Sequence, residues 1–384
     1  MNSSITGNGV SHIYYNITLT NNDTSDTHFP PPISFTETRN SPFLNCPEDY
    51  FMSVVRFQLD TPTLPVMTCQ PLVGSALDVD TLIYRVWLRY KTTTVGVNIV
   101  FVPQNSFSAK PVGPLSLADQ QSEYFNIYNY QWFIDMLNTT LTTAFNDLHG
   151  NIPPGASAPF FGWDTGGNVA ILQQNILNEN YGVNQDSLEI YFNTPLYTLF
   201  NSFIFTSGYV PNITPDTVGH KLYVETGLNA IVSSITPYTG GTAEKYFNMV
   251  QEYSTVPLWT PIDSIVFTTS MLPLTPELQA APVSFNTKGV FESIGANANL
   301  TTVLTDFIVP LTTGGEYKPS INYTPTAEYR LVDLFGTSPI NSIQVNVFYK
   351  NRFGTLIPLL LGSGCNASIK IMFRRKDFAN MIIN

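Results

Sequence analysis

The chain has 384 residues, enough for two domains or one elaborate β-sandwich. Charged residues make up 12% against a usual share of about 25%, so the surface must be solvated by Asn, Thr, Ser and Gln or hidden against partners. A net charge of −11 argues against a main task of coating nucleic acid, and no apolar run of about 18 residues offers a membrane-spanning helix.

Taken in chain order, His12–Leu19 reads as a short strand between loop-like stretches at 1–11 and 21–31. Met52–Asp60 is the first clear strand: Val55, Phe57 and Leu59 alternate with Arg56, Gln58 and Asp60, the period of a half-buried strand. Leu82–Tyr90 alternates again, with Leu82, Tyr84, Val86, Leu88 and Tyr90 on one side and Arg85, Trp87 and Arg89 on the other. Thr92–Gly96 is expected to turn or bulge, and Val97–Val102 to return as a strand ended by Pro103.

Tyr130–Leu148 is the one predicted helix. Phe133, Met136, Leu137, Leu141, Ala144, Phe145 and Leu148 recur at helical spacing, Asn129 is placed to cap the start, and Gly150 to cap the end. A lone helix in such a chain is expected to plug the open end of a barrel or sandwich. Short strands resume at Val169–Leu172, Leu188–Phe192, Leu222–Glu225, Ser264–Thr268, Leu304–Val309, Tyr329–Leu334 and Ile343–Tyr349. Leu356–Leu361 and Ile369–Phe373 are expected to close as a hairpin about Gly362-Ser363-Gly364. No βαβ alternation appears, so the fold class is all-β and antiparallel.

Val55-Arg56-Phe57, running on to Leu64-Pro65-Val66, is echoed by Ile265-Val266-Phe267, running on to Leu272-Pro273-Leu274. Equivalent strands flanking a middle segment suggest an insertion between two halves of one sandwich. The expected division is 1–104 with 256–384 as a discontinuous sandwich, and 105–255 as a β-rich insert.

No reaction centre is legible. His12, His28, His149 and His220 do not pair at metal-ligand spacing, and Asp78-x-Asp80 lacks a third calcium ligand. There is no G-x-S-x-G elbow, and Gly240-Gly241 and Gly314-Gly315 lack the rest of a phosphate loop. Glu244, Glu252 and Asp263 qualify for glycoside hydrolysis only by being acidic. Met1–Gly7 lacks the marks of a secretory leader, and Cys46, Cys69 and Cys365 form no C-x-x-C, so free thiols in a reducing compartment are expected. Neither an enzyme, a metal nor a cofactor is expected.

Two surface features remain. Trp163, in Phe160-Phe161-Gly162-Trp163-Asp164, is a candidate contact for a glycan or receptor, which keeps a carbohydrate- or receptor-binding β-sandwich open as the rival reading. Lys350, Arg352, Lys370, Arg374, Arg375 and Lys376 form a C-terminal basic cluster. Those cations either meet phosphate or an acidic neighbour, or protect a sheet edge from unwanted pairing. Residues 151–300 carry 3 Lys and Arg against 11 Asp and Glu, whereas 301–384 carry 8 against 5.

The stretches Tyr124-Phe125-Asn126-Ile127-Tyr128-Asn129-Tyr130-Gln131-Trp132-Phe133, Gln251-Glu252-Tyr253-Ser254-Thr255-Val256, Tyr329-Arg330-Leu331-Val332 and Ile369-Lys370-Ile371-Met372-Phe373-Arg374-Arg375-Lys376, with the many short strands and single helix, carry a resemblance. The chain resembles the minor capsid (penton) proteins of virophages and related icosahedral double-stranded DNA viruses. The resemblance implies a jelly roll of eight antiparallel strands, an outward inserted domain, and five identical copies about each vertex of the virion. It implies contact with the major capsid protein, synthesis in the host cytoplasm, no catalytic residues, and basic residues facing the particle interior. No long basic N-terminal arm is present, so no dedicated nucleic-acid site is expected.

Overall fold

A computed structural model describes residues 12–23, 30–72, 80–104, 125–148, 152, 154–179, 186–226, 231–279, 283–285, 291–293, 299–309, 320–324, 330–351, 354 and 356–376. The chain divides into two compact units. One takes in the described residues of Met1–Leu64, Ile262–Pro310 and Tyr317–Asn384; the other takes in those of Pro65–Pro261.

The first unit is built on eight strands: β1 (His12–Thr20), β2 (Ser34–Thr38), β3 (Tyr50–Asp60), β4 (Ile262–Thr268), β5 (Val303–Phe307), β6 (Ser320–Tyr323), β7 (Ser342–Asn351) and β8 (Asn366–Arg375). One sheet runs β1-β8-β3-β6 and the other β2-β7-β4-β5, with every pairing antiparallel. This order is the jelly roll, in which the first strand pairs with the last and the second with the next to last. The two short strands Val332–Asp333 and Leu356–Pro358 extend the sheets beside β3 and β7. Ile343, Val345, Val347 and Tyr349 alternate inward along β7 and are buried, as are Ala367, Ile369, Ile371 and Phe373 on β8.

On β3 the alternation breaks once. Arg56 pairs with Lys370 and Val54 with Ile371, which leaves Val55 as an extra residue. This bulge turns Met52 and Val54, rather than Val55, into the core beside Phe57 and Leu59.

The expected hairpin of Leu356–Leu361 with Ile369–Phe373 does not form. Leu356–Pro358 pairs with β7, and the turn at Ser363-Gly364 delivers β8 to the opposite sheet, between β1 and β3. Gly364 has φ +71, which suits glycine at that turn.

The second unit opens at Pro65, not at 105. The strands Thr81–Tyr90 and Thr93–Val100, expected in the sandwich, belong to an insert sheet with Glu189–Phe192, Val218–Leu222 and Phe205–Tyr209. The turn between the first two is confined to Lys91-Thr92, with Lys91 at φ 55, so Thr93–Gly96 is strand. A second sheet joins Ile231–Ile235, Glu244–Val250, Val169–Asn175 and Phe160–Asp164.

The long helix spans Tyr130–Leu148, as its spacing predicts, and Asn129 accepts a bond from the Gln131 amide at 2.8 Å. It belongs to the second unit rather than to the jelly roll. It packs on strands of both insert sheets and forms their core. The expected cap at Gly150 lies outside the described residues. Thr194–Leu199 and Val256–Trp259 add two short helices, each with proline in its first turn.

Candidate functional site

The cations singled out in the sequence divide between places. Lys370 lies on β8 opposite Arg56 on β3, and both point away from the buried face. The Lys370 ammonium stands 4.7 Å from the centre of the Tyr14 ring, while Arg56 donates to Asn16 Oδ1 at 3.0 Å. Arg374 continues the row, opposite His12 and Phe51. Lys350 sits in the other sheet, 3.2 Å from Asp263, and Lys376 is 3.0 Å from Asp333. Arg375 pairs in register with Tyr50, and Arg352 lies outside the described residues.

The basic surface of the first sheet is therefore Arg56 and Lys370 side by side, with Arg374 four residues further along β8 on the same face. Arg56 is the member that linear reading left out. It is remote in sequence, and only the β3–β8 register brings it beside Lys370.

Trp163 is half-buried rather than displayed. Its ring stacks on Tyr130 with centroids 5.3 Å apart and lies 5.5 Å from Trp259, and its indole nitrogen is enclosed without a bond. Trp259 is buried and donates to Leu199 O at 2.8 Å. Phe133, Phe161 and Phe200 complete this aromatic centre of the insert.

The three carboxylates weighed for hydrolysis each have their own surroundings. Asp263 belongs to the sandwich and faces Lys350. Glu244, in the insert, accepts from Ser157 at 2.6 Å and Asn175 at 2.5 Å, and Glu252 is exposed.

The densest charge network is one the sequence reading did not single out. Glu189 takes Arg89 at 2.6 Å, Lys221 at 2.5 Å and the Tyr191 hydroxyl at 2.8 Å. Burial pushes this carboxyl up, but those three donors outweigh it and hold it below the usual carboxylate value. Nearby Glu179 is pushed up to about 7, chiefly by burial and against the bond from Gln174. Among the described residues no three His, Cys, Asp or Glu side chains converge as metal ligands, and no helix is long and apolar enough to cross a membrane.

The family model described as Sputnik minor capsid protein V18/19 matches residues 13–375. The chain is 32% identical over 154 residues to uncharacterized protein V18 of Sputnik virophage, covering 39% of this chain and 90% of that one. It is 25% identical over 199 residues to structural protein V19 of the same virophage, covering 51% and 85%. A chain in the cryo-EM structure of the Sputnik virophage superposes with TM-score 0.75 and 26% identity, over 97% of this chain and 99% of that one. The mavirus penton protein superposes with TM-score 0.62 and 17% identity, over 95% and 99%.

Proposed function

This chain belongs to the Sputnik minor capsid protein V18/19 family, a structural subunit of a virion, and from that premise we propose that five identical copies of it close a ring at each capsid vertex. The observation that carries the proposal is the eight-strand jelly roll interrupted by a large insert between β3 and β4, an architecture that superposes end to end on a penton protein.

The physical mechanism is assembly. A rigid sandwich presents side surfaces that bury against identical neighbours, and closed rotational symmetry satisfies each of those surfaces. A 12% share of charged residues suits this, because the centres of subunit interfaces are depleted in charge. In this reading the outer flank of each ring meets the major capsid protein. The row Arg56, Lys370, Arg374 faces the particle interior, and the insert, with its acidic surplus, faces outward as the surface open to a host receptor or glycan. Synthesis in the host cytoplasm accords with Cys46, Cys69 and Cys365 as free thiols.

Native mass spectrometry of the purified protein tests the stoichiometry. Five-subunit species are expected; a protein that stays monomeric or closes as dimers or trimers contradicts the reading.

A further inference from the structure

Between the long helix and the strand Thr93–Val100 the insert leaves an open cavity of about 380 Å³. Clefts of about 300–1,000 Å³ are the size of small-ligand pockets, ample for one long side chain. Val97, Val100, Val102 and Met136 line it with aliphatic surface, and Val100 and Val102 are 47% and 48% exposed.

The polar groups around this floor are biased to one role. The Trp132 indole donates its hydrogen to Val102 O at 2.8 Å. Thr139, Thr140 and Thr143 each donate their hydroxyl hydrogen back to the carbonyl four residues earlier, at 2.8–3.0 Å. Asn98 donates to Leu82 O and accepts from Arg85. Among the lining side chains, apart from one amide hydrogen of Asn98, what remains open is acceptors: hydroxyl lone pairs and the Asp135 carboxylate.

Asp135 is exposed and accepts from the Tyr238 hydroxyl at 2.6 Å, but it has no cationic partner among the described residues. An apolar floor whose lining side chains offer mainly acceptors favours a donor carried on an aliphatic stem.

We propose that this cavity seats a lysine side chain of a partner polypeptide, its stem on Val97, Val100 and Met136 and its ammonium on Asp135 and Thr139. Lysine buries its methylenes while keeping the charged head at a polar rim, and its three donors match acceptors on one side. Between Pro65 and Pro261 fourteen Asp and Glu outnumber six Lys and Arg, a field that favours approach of a basic partner. The inference does not depend on the vertex assignment.

Full-length protein carrying ¹⁵N-labelled tryptophan, titrated with Nα-acetyl-lysine N-methylamide, tests it. The Trp132 indole resonance is expected to shift saturably. The norleucine analogue, which keeps the stem and loses the charge, and the variant Asp135→Asn are each expected to bind about tenfold more weakly or worse. Thr143→Trp, at an exposed position that leaves Asp135 intact, is expected to fill the groove and abolish the shift. Equal binding of norleucine, an unchanged titration of Asp135→Asn, or no response of Trp132 to the lysine probe overturns the proposal. So does a stronger response to phosphatidylethanolamine vesicles, which would assign the cavity to a lipid headgroup.

Discussion

Phe57 and Phe267 meet edge to face across the sandwich, with ring centroids 4.7 Å apart and planes at 84°. They hold the same place in the two echoed segments, Val55-Arg56-Phe57 on β3 and Ile265-Val266-Phe267 on β4, so the echo marks the facing strands on either side of the insert. Both rings are fully buried and each also packs on Phe307. Phe57→Ala and Phe267→Ala are each expected to cost about 3–5 kcal/mol in denaturant unfolding, and the double variant less than the sum, because the two rings share one cavity. Additive losses, or losses under about 1 kcal/mol, would mean the two rings do not lock the sheets.

Asn138 is the polar anchor of the long helix. It is 3% exposed, donates to Phe161 O at 2.8 Å and accepts from Phe161 N at 2.7 Å, so one amide completes the backbone of the neighbouring strand. Asn138→Leu leaves both backbone groups buried without partners and is expected to destabilise the insert by about 2–4 kcal/mol. Asn138→Asp sets a carboxylate against the Phe161 carbonyl and is expected to be worse at neutral pH. Thermal unfolding followed by near-ultraviolet circular dichroism reads both effects.

Gly96 lies opposite Trp87 in register, and a Cβ there would come within 2.4 Å of the Trp87 ring. Trp87 is held on its other side by Tyr191 and Val210, so the ring cannot retreat. Gly96→Ala is expected to cost about 1–3 kcal/mol by overpacking, with part of the loss recovered in the double variant with Trp87→Leu. A neutral Gly96→Ala would show that Trp87 moves freely.

Glu179 sets a pH dependence with a definite sign. Its folded value of about 7 lies above its ordinary value of 4.5, so the folded insert holds this proton more tightly than the unfolded chain. That contribution is full below pH 4.5 and is lost as pH rises through about 7. His220, whose folded value is lowered by burial, acts in the opposite sense, as does Glu189 at lower pH. Comparing wild type with Glu179→Gln isolates the contribution of Glu179: the variant is expected to lose less stability between pH 5 and pH 8. Equal pH profiles for the two proteins would remove Glu179 from the account.

Features that depend on neighbours in the chain are legible in its sequence. The helix Tyr130–Leu148 declares itself because apolar spacing and an Asn cap act within a few turns. Thr194–Leu199 carries a comparable signal in Asn193 and Pro195, but six residues show no periodicity.

Partners were less legible than strands. β1 pairs with β8, and β2 with β7, across most of the chain, and no local residue pattern names the partner. For that reason Leu356–Pro358 and β8, adjacent in sequence, look like a hairpin although they pair in different sheets. The same distance hid the Arg56–Lys370 neighbourhood. Alternation on Thr81–Tyr90 located the face toward the helix, but gave no sign that Tyr191 and Val210 would cover Trp87 on the other face.

The most direct test of the central claim is a cryo-EM map of the particle that contains this protein, searched for the sandwich density. Five sandwiches about each five-fold vertex, with Arg56, Lys370 and Arg374 inward and the insert outward, is the result expected. Density for the chain on the three-fold facets, or a vertex ring built from another protein, would contradict it.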